Sequence, residues 1–417
     1  MLGLAQRILG PDPLVRRLAF QSVLSAFGEG AFLTGSAFYF TQLVGLSAQE
    51  VGIGLSVAAG VQFLASVPTG RWVDRAGAQR AWVAMAALQA ALYLLWPLID
   101  GFALFLAVMA AMSVVESAMR SGRNAYTIAV FPREKRVASQ AYLRAARNVG
   151  YTLGALLAGM ALALESDHAM ELVPVLTGLL LVGNTAWVAR LPGLAPAVDR
   201  VPELPLETAV EHAGEKGSAL RNRGFLLMSI ANGVLSTHGV LLNVVIPLWL
   251  VDETDAPRVL LAWLFGTNTV MAVFLQVAAA RGVTTVAQSL RAQYRGAACF
   301  VLSCGIVLVT HDTTGWVTIV LVWVGHVTVT GSELFQSAGM WGLVSELSDP
   351  DRLGDYQGVS SLGYTLSEVW SPALYTFLAM TLGAPGWVII ALIVVAAAVA
   401  IGPASRAAER HLARVAV

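Results

Sequence analysis

The chain has 417 residues, 57% of them apolar and only 12% charged, where a soluble domain carries roughly a quarter. Its 26 Lys and Arg match its 26 Asp and Glu, so neither sign dominates and nothing in the balance supports a nucleic-acid partner. This composition excludes an ordinary soluble domain and reads as an integral membrane protein.

In chain order, residues 1 to 17 carry Pro11, Pro13, Arg7, Arg16 and Arg17 ahead of the first long apolar run. That is not a cleavable signal pattern, so the first run is expected to act as the insertion signal. A helix needs about 20 apolar residues to cross a hydrocarbon core of about 30 Å. Qualifying runs lie near 18 to 45, 48 to 69, 81 to 98, 102 to 130, 138 to 164 and 172 to 189, then 224 to 251, 257 to 280, 292 to 310, 315 to 346, 356 to 382 and 385 to 403. The prediction is an all-α membrane protein of twelve transmembrane helices, with an N-terminal six-helix bundle over 1–189 and a C-terminal one over 224–417. Between them, 190–223 is rich in Pro and Glu and includes Arg200 and Lys216. It reads as a flexible cytoplasmic linker with a short amphipathic helix around Leu206 to His212.

Charge is sorted by side. With the exception of Arg258, every Lys and Arg falls in alternate segments between the runs or, for Arg120, Arg123, Arg144, Arg147 and Arg295, in the halves of the runs that adjoin them, from Arg7, Arg16 and Arg17 through Arg71, Arg75 and Arg80 to Arg406, Arg410 and Arg414. The positive-inside rule places these segments and both termini in the cytoplasm, with the chain in the cell inner (plasma) membrane. Opposite them stand Glu50, Asp100, Glu165, Asp167, Glu171, Asp252, Glu253, Asp255 and Asp312. Cys299 and Cys304 share one apolar run and read as packing residues.

The halves resemble each other. Phe63-Leu64 is echoed by Phe274-Leu275, and Gly150-Tyr151-Thr152-Leu153 by Gly363-Tyr364-Thr365-Leu366, at nearly constant offset. A parallel duplication of six spans puts a substrate site near the bilayer midplane, between the halves.

Between the second and third runs stands Gly70-Arg71-Trp72-Val73-Asp74-Arg75-Ala76-Gly77-Ala78-Gln79-Arg80. It resembles the major facilitator superfamily signature G-x-x-x-D-R-x-G-x-x-R, at the loop where that family carries it. Gly70 and Gly77 permit close approach and a tight turn, Asp74 suits a helix N-terminus, and Arg75 and Arg80 can reach carboxylates or lipid headgroups. The five form an expected conformational latch; the second-half counterpart, Arg281-Gly282 to Arg295, is degenerate. Asn148 to Gly159 is similar to the glycine-rich fifth-helix motif of drug/proton antiporters, with Ala155 where a proline is usual. The arginine those proteins carry early in span 4 is not matched in Phe102 to Ser113, and Arg120, Arg123, Arg144 and Arg147 form instead a charge network nearer the cytoplasmic end. The resemblance implies that spans 1, 4, 7 and 10 line a central cavity.

An ionisable side chain at span depth costs about 2.5 to 3.5 kcal/mol on insertion scales, so it marks a cavity, a partner or a function. Glu29, Glu116, Glu333 and Glu368 meet that description. Each is a candidate for proton coupling or substrate contact, with a structural ion pair as the alternative. Glu29 stands out because no basic residue is near it in sequence, Gly28 and Gly30 flank it, and about 16 Å of helix precede it in its run. Glu116 has Arg120 at i+4 and Arg123 at i+7, the spacing of a plain salt bridge, and Glu368 precedes Pro372. His238 and His326 read as packing residues, Asn232, Asn243, Asn268 and Gln276 as cavity or helix-joining groups, and Trp249, Trp341, Trp370, Tyr364 and Phe32 as aromatic surface or packing.

The expected function is secondary active transport by alternating access, as proton-coupled efflux of a small amphipathic organic compound. Proton-coupled uptake of a small metabolite is the alternative, and a non-transporting membrane receptor or scaffold a third. The pattern calls for no cofactor, metal or catalytic residue. Expected partners are a small-molecule substrate, protons and the lipid bilayer, on a monomer.

Overall fold

The computed structural model describes residues 12–163, 167–193 and 218–415. Glu165, the Phe32 side chain and most of the expected linker, Leu206 to His212 included, lie outside the described residues.

Among the described residues the helices group into twelve segments when a broken helix is taken with its continuation and short 3-10 turns are left aside. The first six are α1 (Pro13–Phe38, ending in a π turn, Tyr39–Leu43), α2 (Ala48–Ala76), α3 (Ala78–Leu94), α4 (Phe102–Val130), α5 (Arg136–Ala163) and α6 (Asp167–Ala189). The second six are α7 (Arg223–Asp252), α8 (Leu260–Phe274, continued by Gln276–Ala279), α9 (Val286–Val309), α10 (Trp316–Leu347), α11 (Leu353–Leu382) and α12 (Ala384–Val415). Seven are long and apolar enough to cross a membrane: α2, α4, α6, α7, α9, α10 and α12. The others are shorter, broken or interrupted by polar residues. Trp263, Trp316, Leu392 and Val399 remain exposed on the outside, as expected where the surroundings are hydrocarbon rather than water.

Local chemistry sets the ends. Ser47 and Glu50 form a reciprocal capping box at α2, the Glu50 N–H donating to Ser47 Oγ (3.2 Å) and the Ser47 N–H to Glu50 Oε2 (2.8 Å). Gly77 turns the chain from α2 into α3 at φ 86°, a conformation that disfavours any side chain. Within α7 a π turn, Leu241–Val245, precedes Pro247, which has no N–H to donate and whose ring presses on the carbonyl four residues back.

Packing repeats. In the first half α1 lies on α5 and α6, α2 on α4, and α3 on α4 and α6. Six helices later α7 lies on α11 and α12, α8 on α10, and α9 on α10 and α12. The repeated Gly-Tyr-Thr-Leu segments sit at equivalent contacts. A Cβ on Gly150 would strike the Val23 carbonyl of α1, and one on Gly363 the Ser229 carbonyl of α7. Glycine is there because two helix backbones touch. Gly154, against the Phe27 carbonyl, extends the same contact. Gly150→Val should therefore lower the melting temperature of the purified protein by an amount matching about 1 to 3 kcal/mol of overpacking, whereas Gly159→Val, where a Cβ meets open space, should leave it nearly unchanged. Equal shifts would argue against the backbone contact.

The halves meet where α2 runs beside α11, α4 beside α11, and α5 beside α8 and α10. Val137 and Ala141 of α5 share an apolar cluster with Ala280, Val283 and Ala338 of the second half. These contacts gather at the end where the basic segments lie.

Candidate transport site

At that basic end the signature loop closes onto the second half. Asp74 accepts the backbone N–H of Gly354 (2.6 Å) and of Asp355 (2.8 Å), in the first turn of α11. A carboxylate thus caps a helix N-terminus across the interface, meeting two otherwise unsatisfied N–H groups and the positive end of the dipole. Gly70 and Gly354 lie so close that a Cβ on either would strike the other's carbonyl oxygen. Arg71 Nε donates to Asp355 Oδ1 (3.2 Å), and Asp355 Oδ2 accepts the Ala219 N–H (2.6 Å), which ties the end of the linker to the same point. Arg75 and Arg80, expected to reach carboxylates or lipid headgroups, are exposed and make no ion pair among the described residues, while Arg71 pairs with Asp355. A second clasp joins Arg133 to both carboxylate oxygens of Glu346 and Arg136 to Ser345.

Deeper in, three of the four carboxylates meet three of the four arginines as ion pairs. Arg147 Nη2 and the Tyr151 hydroxyl both donate to Glu29 Oε2, each at 2.8 Å. Arg120 Nη2 donates to Glu116 Oε1 at 2.7 Å, the i,i+4 pair the spacing suggested. Arg144 reaches across the interface to Glu333 and Ser337 (2.6 Å to Ser337 Oγ), and Asn268 Nδ2 donates to Glu333 Oε2 at 2.9 Å. Arg144 also stands 6.0 Å from the centre of the Trp341 ring. Arg144 and Arg147 are three apart on one face of α5, one serving α10 and the other α1.

Glu29 is therefore not isolated. Its partner lies 118 residues away in sequence and directly beside it in space. Its glycines serve packing rather than access: a Cβ on Gly28 would press on Thr177 of α6, and one on Gly30 on the backbone of Tyr151. Glu368 makes no ion pair among the described residues and is exposed on α11 together with Tyr364.

Other polar residues join helices. His238 Nε2 pairs with Gln336 Oε1 (3.3 Å), while the side-chain amides of Gln336 and Gln293 both donate to Asn232 Oδ1, at 2.9 and 2.8 Å. Gln276 donates to the Leu334 carbonyl, and the exposed Asn243 to that of Gly239 in its own helix. Trp249 offers no surface to a substrate: it is buried, donates to Thr310 (2.9 Å) and stands edge-on to Trp387. Asp355, Tyr151, Ser337 and Glu346 were missed by sequence reasoning. Only Asp355 carried a local signal, as an acid in the first turn of a helix after Pro350.

The side chain of Glu116 is 45% exposed although it lies midway along α4, and Tyr364 is 41% exposed midway along α11. At the basic end the halves are joined, by Asp74 with Gly354 and Asp355 and by Arg133 with Glu346.

The sequence profile of the Major Facilitator Superfamily matches residues 18–372. The chain belongs to the Major Facilitator Superfamily. No curated protein sequence matches it. Among solved structures it resembles a bacterial homologue of the iron transporter ferroportin in an outward-facing state, with a TM-score of 0.71 at 15% identity, covering 95% of this chain and 100% of the other. It also resembles the human organic anion transporter MFSD10 (0.67, 14%, covering 94% and 100%) and a variant of the E. coli fucose:proton symporter FucP (0.67, 12%, covering 94% and 97%). These likenesses are of fold. Within the superfamily the chain is a multi-pass membrane protein with the architecture of secondary transporters.

Proposed function

We propose that this superfamily member is a proton-coupled secondary transporter of a small amphipathic organic compound, working by alternating access. The observation that carries the reading is the Glu29–Arg147–Tyr151 cluster at span depth. A carboxylate that can trade a guanidinium for a proton gives a two-facing carrier its differential between states. Efflux in exchange for protons is the direction that the glycine-rich pattern of α5 supports. Uptake together with protons is the second reading, and one observation favours it. When Glu29 takes up a proton, Arg147 loses its counter-charge and becomes available to an anion, so proton and anion favour each other's binding.

The test is a panel of anionic, neutral and cationic amphipathic compounds offered to everted and right-side-out vesicles carrying a pH gradient and a pH-sensitive dye. At least one compound should dissipate the gradient, and the orientation in which it does so gives the direction. No response from any compound would favour a non-transporting receptor or scaffold.

In this reading the basic end faces the cytoplasm, as do both termini, and the acidic end faces outside. Asp100→Cys and Asp255→Cys should then react with an impermeant thiol reagent applied to intact cells, while Ala78→Cys should not. Labelling of Ala78→Cys from outside would reverse the orientation.

A further inference from the structure

We infer that the turn between α8 and α9 binds the phosphate of an anionic phospholipid, at the basic end of the second half and away from the ion pairs at span depth. A cleft of about 230 Å³ opens at this turn, lined by Arg281, Gln288, Arg291 and Arg295 together with the apolar Val283 and Ala292. Every polar side chain in it has donors to offer and no spare acceptor. A guanidinium carries five N–H groups and accepts nothing. The Gln288 carbonyl oxygen is already taken, by the Thr284 N–H (2.9 Å) and by the Thr284 and Thr285 hydroxyls (2.9 and 3.2 Å), in the cap that starts α9. Its amide NH2 is what remains.

No acid is built in to meet these donors. From Ala256 to His311 the chain has neither Asp nor Glu, whereas the matching turn of the first half carries Asp74. Arg281, Arg291 and Arg295 form no ion pair among the described residues, neither with Glu409 of α12, which packs on α9, nor with Glu134, which precedes α5. All three are exposed, so water hydrates them at little cost and the cleft stands ready for an anion without needing one to fold.

The rest of α9 fits a lipid better than a free anion. Arg291, Arg295, Ala298, Leu302 and Val309 are all exposed, and their spacing puts them on one face of the helix. Guanidiniums begin this stripe at the basic end and apolar side chains continue it. Leu302 lies about 16 Å along the helix from Arg291, close to the depth of one leaflet in a hydrocarbon core of about 30 Å. A guanidinium fork binds phosphate oxygens in pairs. A phospholipid would use the fork and the stripe together; a free phosphate would use only the fork. The cleft is also smaller than the roughly 300 to 1,000 Å³ of sites that enclose a drug-sized molecule, which suits a headgroup whose tails lie outside it.

The probes are dioleoyl phosphatidylglycerol, zwitterionic dioleoyl phosphatidylcholine and inorganic phosphate. Each is added to the purified full-length protein in detergent, and binding is read as the rise in melting temperature with ligand concentration. Phosphatidylglycerol should stabilise the wild type, and phosphatidylcholine and phosphate at matched concentration should do so far less. One basic side chain at a charged membrane surface is worth about a fivefold change in binding, so Arg291→Gln combined with Arg295→Gln should weaken the phosphatidylglycerol response roughly twenty-five-fold. Arg16→Gln combined with Arg17→Gln removes the same charge from exposed positions at the basic end of α1 and should leave the response near wild type. Should the first pair fail to fold, Arg281→Gln and the comparison of probes on the wild type still decide. Equal losses from the two pairs would reduce the effect to general charge attraction and overturn the site. No response to phosphatidylglycerol, or an equal one to phosphatidylcholine, would overturn it as well. Phosphate acting as strongly as the lipid, with the same dependence on Arg291 and Arg295, would overturn the lipid as occupant.

Discussion

Glu29→Gln should keep downhill exchange of substrate and lose accumulation driven by a pH gradient by about tenfold or more, the scale set by removing one charged hydrogen bond from the coupling step. Glutamine matches the protonated side chain in shape and can still accept the Tyr151 hydroxyl, so the cluster remains built. What it cannot do is alternate between a charged form that holds Arg147 and a neutral form that releases it. Removing one partner of a fully buried ion pair costs about 3 to 5 kcal/mol, because the other charge is stranded. Here Glu29 and Arg147 keep 17% and 30% of their side-chain exposure, so solvent screening holds the penalty below that range. Glu29→Asp, with a carboxylate drawn back by one methylene, should retain partial coupling. The measurement is substrate flux in proteoliposomes with and without an imposed pH gradient. Undiminished gradient-driven accumulation by Glu29→Gln would move the coupling role to Glu333, whose contact with Arg144 also joins the two halves.

The second large effect is expected at the latch. Asp74→Asn should open the basic end, shifting the equilibrium between facings by about tenfold to a hundredfold and abolishing most transport, while expression and substrate binding stay close to wild type. Asparagine offers one acceptor oxygen and no charge where two N–H groups and a helix N-terminus now meet a carboxylate. Charge-assisted hydrogen bonds of this kind contribute about 1.5 to 3 kcal/mol, which is the size of the shift. Gly70→Val should act in the same direction through shape alone, because its Cβ would occupy the place of the Gly354 carbonyl oxygen. Distances between spin labels placed on α2 and α11 near the basic end should lengthen in both variants. Wild-type distances and flux in a well-expressed Asp74→Asn protein would count against the latch.

The signature loop was legible as a motif because its residues are adjacent in sequence, with a local reason at positions such as the Gly77 turn. Its receptor was not. Gly354 and Asp355 lie 280 residues further on, and a backbone N–H leaves no mark in the amino-acid pattern. The same division holds among the charges at span depth. Glu116 with Arg120 could be read off a helical spacing, while Glu29 with Arg147 and Glu333 with Arg144 depend on how α1, α5 and α10 are brought together. Glu29 drew notice for an isolation that held only along the chain. The repeated Gly-Tyr-Thr-Leu segments were visible as a repeat, yet their physical cause, backbone contact between α1 and α5 and between α7 and α11, needed the packed structure. Charge sorting separated the two ends of the bundle without any structure, because it depends only on which segments the arginines occupy.

The most direct test of proton-coupled alternating access is proton movement set off by substrate alone. Proteoliposomes with a trapped pH-sensitive dye and no starting gradient are given a compound identified in the vesicle panel. Wild-type protein should change the internal pH in step with substrate entry, and Glu29→Gln should carry substrate without that change. Substrate entry with no pH change in the wild type would contradict the account.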